Sequence, residues 1–199
     1  MFARIAVLFT IAVMLMPAAS SADRAACSPA TQVKFMTPFQ SGHLGIGISV
    51  TSRGSGKCFA VSAASSSRPD AWRCMIDNAI HDPCFQNVMG DPNVLACPDA
   101  PWTANVSLLT LTSPLPAEKR GQLVWKDNLP WALELANGQR CSLFTGATAP
   151  IAGMRINYGC SGGFIVVADI DRSQPVWRVF FQGEKSIALE PVDVAVAWY

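Results

Sequence analysis

The chain reads as mostly β: a single antiparallel β-sandwich or barrel-like domain with a disulfide-tied loop region and little helix. Three observations predict this. Short apolar segments recur about every ten residues, with Gly, Pro or Asn between them. Seven cysteines are spread along the chain. No stretch carries the 3.6-residue apolar period for long enough to make a useful helix.

The first element is an export signal over residues 1–22. Arg4 supplies a charged n-region, and Ile5 to Met16 is apolar except for Thr10. Pro17 breaks the run, and Ser20 and Ala22 stand at −3 and −1 if cleavage falls before Asp23. This is the pattern of a secretory signal peptide. A membrane span needs about 20 apolar residues, and no segment of the chain supplies them. Residues 23–199 are then one disulfide-stabilised β domain, secreted or periplasmic.

Loss of Arg4 leaves 14 basic residues against 14 acidic ones. A neutral chain without Lys/Arg runs argues against nucleic acid and against electrostatic docking on anionic membranes.

The strands follow in order. Leu44 to Thr51 alternates Gly with Ile and Val, and Lys57 to Ser62 is a short candidate. Residues 57–101 form the loop-rich part, with Pro69, Pro83, Pro92 and Pro98 in it. Val106 to Thr112 alternates Leu with Thr. Trp131 to Leu135 and Arg140 to Phe144 flank Asn137-Gly138, a strong hairpin signal. Met154 to Tyr158, Phe164 to Ala168, Val176 to Gln182 and Ser186 to Trp198 complete the set, with a Gly-rich turn at Ser161-Gly162-Gly163.

Seven cysteines is an odd number. Cys27, near the mature N-terminus, is the natural unpaired one, or a candidate for lipidation. Ala25 and Ala26 suit a lipoprotein site; Arg24 and the distance from Met16 do not. A lipid anchor, with the protein on the outer or cell surface, is therefore the minority form. Cys58, Cys74, Cys84, Cys97, Cys141 and Cys160 remain, and three pairs allow fifteen connectivities. Cys141–Cys160 is favoured because both flank nearby strands. Cys74–Cys84 would close the loop around Asp77 to Asp82, leaving Cys58–Cys97. No C-x-x-C occurs, and only His43 and His81 could add imidazoles, so no metal site is expected. No cofactor motif is present either.

Catalytic patterns are poor. His81 lies beside Asp82 and near Cys84, but nothing marks a nucleophile. Gly159-Cys160-Ser161-Gly162-Gly163 looks like a nucleophile loop, yet a Gly-rich hairpin with an oxidised cysteine explains it as well. Asp169 and Asp171, at i and i+2, could act as a pair, but Ser173 and Pro175 point to a turn. Of six tryptophans, Trp102, beside Pro101, and Trp125, between apolar Val124 and charged Lys126, are the best candidates for exposed contacts with sugar or peptide ligands.

Four segments carry a resemblance. They are Arg68-Pro69-Asp70-Ala71-Trp72-Arg73-Cys74, Asp82-Pro83-Cys84-Phe85, Pro130-Trp131-Ala132-Leu133-Glu134-Leu135 and Arg155-Ile156-Asn157-Tyr158-Gly159-Cys160. From Cys58 to the C-terminus the chain resembles a recurring set of bacterial secreted or lipoprotein domains, found in actinobacteria among others. The resemblance implies export and a cysteine framework. It implies no activity and no functional residue.

The expected function is a non-catalytic binding or interaction protein of the cell envelope, whose partner is a protein or an envelope glycan. Two alternatives stand beside it. One is a cell-wall or glycan-active hydrolase using Asp169, Asp171 or His81. The other is a secreted inhibitor presenting Met75 to Pro83 as a disulfide-bound loop.

Overall fold

A computed structural model describes residues 29–117 and 124–199. The export signal and Cys27 lie outside the described residues. The chain there is mostly strand, with two single-turn 3-10 segments at Trp125–Asp127 and Ser161–Gly163. No helix among the described residues is long and apolar enough to cross a membrane.

Fifteen strands are described. They are β1 (Gln32–Lys34), β2 (Phe39–Gln40), β3 (His43–Leu44), β4 (Ser49–Val61), β5 (Ala71–Ile76), β6 (Ala79–Gln86), β7 (Val94–Pro98) and β8 (Asn105–Leu111). The second half holds β9 (Ala132–Leu135), β10 (Arg140–Leu143), β11 (Pro150–Ile151), β12 (Met154–Cys160), β13 (Ile165–Asp171), β14 (Arg178–Gln182) and β15 (Glu190–Trp198). The two segments predicted over Leu44–Thr51 and Lys57–Ser62 are largely one long strand, β4.

Strands β4 to β8 close into a barrel. Each neighbour in the meander is antiparallel, and five is an odd number. The first and fifth strands therefore run the same way, and the β4–β8 seam is parallel. The later strands pair in the order β15-β14-β13-β12-β10-β9, and β15 also pairs with β9, so this path returns on itself. Its six strands are an even number, and all of its seams are antiparallel. β1 adds to β15 in parallel.

Residues 57–101 are not loop-rich: they supply the end of β4 and all of β5, β6 and β7. The prolines mislead because they sit where a ladder tolerates them. Pro69 precedes β5, Pro92 precedes β7, and Pro98 ends it. Pro83 falls where the β5–β6 register shifts, with Trp72 opposite Cys84 and Cys74 opposite His81. Asp82 and Pro83 thus oppose Arg73 alone, a bulge that needs no N–H from the proline.

The bridges are Cys58–Cys74, Cys84–Cys97 and Cys141–Cys160. The last is the expected pair. The other two replace Cys74–Cys84 and Cys58–Cys97. Strand register is the reason: Cys58 stands directly opposite Cys74 on the neighbouring strand, whereas Cys84 stands opposite Trp72. Every bridge joins two adjacent antiparallel strands.

Three apolar clusters follow from the alternation. One fills the first barrel, with Leu95, Leu109 and both of its bridges buried. Another fills the second, around Leu133, Tyr158, Val166 and Val194. The buried Tyr158 hydroxyl is satisfied by donating to the Pro130 carbonyl at 2.8 Å. A third cluster joins the two barrels through Met36, Phe85, Val106, Leu108 and Trp131.

A cleft between the barrels as candidate functional site

The site begins with a hairpin. Leu133 and Leu135 point into the second barrel, so Glu134 between them points out. The Asn137-Gly138 turn reverses the chain, with Gly138 left-handed at φ 84°. Glu134 and Arg140 are then cross-strand partners. Next along the same outward face, Ser142 stands opposite Gly159 of β12.

These residues line an open cleft of about 740 Å³. Its floor is Ser142 and Gly159, its charged wall is Glu134 and Arg140, and Ser161 edges it. A Cβ at Gly159 would come 2.5 Å from the Phe144 ring, so a larger residue there would displace that ring. Trp102 forms the far wall. It comes from the β7–β8 connection of the other barrel and packs partly on the shared cluster.

One chain of contacts runs through the site. Arg140 lies 5.4 Å from the Trp102 ring centroid. Its Nε donates to Glu134 Oε2 at 3.3 Å. Trp198 Nε1 donates to Glu134 Oε1 at 3.0 Å, and Lys34 lies over the Trp198 ring at 5.2 Å. Ser161 Oγ donates to Gln139 Oε1 at 2.7 Å. Both carboxylate oxygens of Glu134 are engaged. The two Nη groups of Arg140 and the Ser142 hydroxyl have no protein partner among the described residues.

Of the residues singled out in the sequence, Trp102 reaches this cleft, as do Gly159 and Ser161 of the glycine-rich loop. Trp125 packs with Tyr199 and Phe35, at centroid distances of 5.1 and 5.9 Å. Trp72 and Trp131 are buried. His81 is half-buried on the first barrel, opposite Cys74. His43 is exposed on the β2–β3 hairpin.

Asp169 and Asp171 are exposed on β13 of the second barrel. Asp171 closes a turn by accepting from the Ser173 N–H at 2.9 Å. Hydrogen bonds from Ser173 hold its carboxyl below the ordinary value. The structure therefore does not bring His81 to these carboxylates. Cys160 is bridged, and Ser161–Gly163 is a 3-10 turn with Gly162 and Gly163 left-handed, so this loop presents no thiol.

Met75 to Pro83 is a hairpin turning at Asp77-Asn78. Its flanking Cys74 and Cys84 are tied outward to β4 and β7 rather than to each other. No group of three His, Cys, Asp or Glu among the described residues is placed to hold a metal.

Asp82 is a buried carboxylate with a structural task. It accepts from Ser62 Oγ, from the Ala63 N–H at 3.2 Å and from the Ala64 N–H at 3.4 Å. It thereby ties the serine-rich loop to the barrel. Burial pushes its carboxyl up, against those donors and the Arg73 charge.

No protein-family model, no curated protein and no solved structure matches this chain.

Proposed function

We propose that the chain is an exported, non-catalytic binding module of the bacterial cell envelope, and that the cleft between its barrels is the ligand face. The observation that carries this is the Trp102–Arg140–Glu134–Trp198 series. It presents an aromatic wall, a planar donor group and small floor residues in one concavity, which is how binding sites are composed. Among the described residues Glu134 is the only carboxylate lining the cleft, and both of its oxygens are held by protein donors. Glycoside hydrolysis by the usual route needs two carboxyl groups flanking the bond. Binding is thus better supported than hydrolysis. The inhibitor reading has less support, because the bridges anchor the Met75–Pro83 hairpin to the barrel without closing it.

Export is supported by the bridges. Three disulfides persist in oxidising compartments and are rare in the cytosol.

The test is co-sedimentation of the purified protein with an insoluble envelope fraction. Ser142→Trp fills the cleft from an exposed position. It is expected to abolish retention, while Lys57→Trp, on an exposed part of β4 in the other barrel, retains it. Equal retention of wild type and Ser142→Trp would refute the cleft as ligand face.

A further inference from the structure

We infer that the ligand of this cleft is an uncharged glycan, bound through pyranose rings. This rests on the cleft being the ligand face, as proposed above.

Three features point to the class. The first is the wall. The C–H face of a pyranose packs on an indole, and Trp102, partly buried against the shared cluster, borders the cleft with its remaining surface beside the Arg140 guanidinium.

The second is the donor and acceptor pattern. Sugar hydroxyls both donate and accept, so they need a site that offers both kinds of group at close spacing. Arg140 offers two unengaged Nη groups. Glu134 retains acceptor lone pairs beyond its two protein donors, and the Ser142 hydroxyl lies along the same face. A guanidinium beside a carboxylate can take two neighbouring hydroxyls at once, one from each partner. An apolar peptide side chain would leave these groups without partners, at the cost of an unmade hydrogen bond each.

The third is charge. Arg140 and Glu134 are paired, so the cleft wall is internally neutral. Such a wall offers no net charge to attract an anionic or a cationic ligand. The cleft volume of about 740 Å³ has room for a short oligosaccharide segment.

Isothermal titration of the disulfide-intact protein is the test. The probes are cellotetraose and tetra-N-acetylchitotetraose, with tetragalacturonate as the acidic comparison. At least one neutral tetrasaccharide is expected to bind, with an affinity that changes less than about twofold between low and high salt, as for an uncharged ligand. Arg140→Lys keeps the charge and loses the planar fork, and is expected to weaken binding about tenfold or more. Ser142→Trp is expected to abolish binding with the melting temperature unchanged. Trp102→Ala should also abolish it, but that variant removes core packing, so Ser142→Trp decides.

Salt-sensitive binding of tetragalacturonate alone would overturn the neutral class. If neither neutral probe binds while Ser142→Trp still abolishes envelope retention, the glycan class falls and the ligand face survives. If a neutral probe binds equally to wild type and Ser142→Trp, the cleft assignment itself falls.

Discussion

Glu134 and Arg140 face each other across the β9–β10 hairpin, with Arg140 Nε 3.3 Å from Glu134 Oε2. The Arg140 side chain is half-exposed. Such surface pairs contribute about 0–1 kcal/mol to stability. The pair therefore contributes little to the fold, and in the proposed binding role it shapes the cleft wall. Glu134→Gln should lower stability by less than about 1 kcal/mol in urea unfolding. It should weaken ligand binding far more, because Arg140 loses the partner that holds its plane. A large stability loss with unaltered binding would reverse that assignment.

Peptide mapping under non-reducing conditions should return Cys58–Cys74, Cys84–Cys97 and Cys141–Cys160, with Cys27 outside this set. Recovery of a Cys74–Cys84 peptide would contradict the strand register. Replacing both Cys141 and Cys160 by Ala should lower unfolding free energy by about 2–4 kcal/mol, read from denaturant midpoints.

Asp82 gives a pH signature with a definite sign. Its folded-state carboxyl titrates above its unfolded value, because burial opposes the charge. The folded state thus holds the proton more tightly. That contribution is fully present below the unfolded value, and it is lost as pH rises through the raised one. Asp82→Asn cannot titrate. Across the acidic pH range above the ordinary carboxylate value, wild type should lose stability relative to Asp82→Asn as pH rises. Parallel urea titrations of the two proteins check this, since other carboxyls cancel in the difference. A relative gain for wild type would refute it.

Phe85 is fully buried in the cluster that joins the barrels. Phe85→Ala should cost about 3–5 kcal/mol, as for large core truncations. Calorimetry of the disulfide-intact protein reads the loss. A cost below about 1 kcal/mol would mean that the two barrels do not depend on this contact.

Much of the fold was legible in the residues. Alternation marked the strands from Val106 onward, and Asn137-Gly138 marked the hairpin that carries the site. Leu133 and Leu135 inward implies Glu134 outward, and counting from the turn puts Arg140 opposite it. The ion pair was therefore readable from local pattern. Residues 57–101 were not, because prolines at strand ends and at a bulge imitate a loop until the register is known. The two misassigned bridges have the same origin: Cys74 and Cys84 are close in sequence, but pairing depends on which residue stands opposite. Trp102 was legible as a semi-exposed ring, but not as a wall of this cleft. It arrives from one barrel onto the hairpin of the other, and Trp198 arrives from the chain's end. No local pattern encodes such meetings.

The most direct measurement is the indole N–H spectrum of the six tryptophans in ¹⁵N-labelled protein, titrated with the tetrasaccharide that binds and assigned by single Trp→Phe variants. The cleft account predicts that the Trp102 and Trp198 signals move together and saturate, while those of the buried Trp72 and Trp131 stay in place. Movement confined to Trp125 or Trp177, with Trp102 and Trp198 unmoved, would place the ligand elsewhere and contradict it.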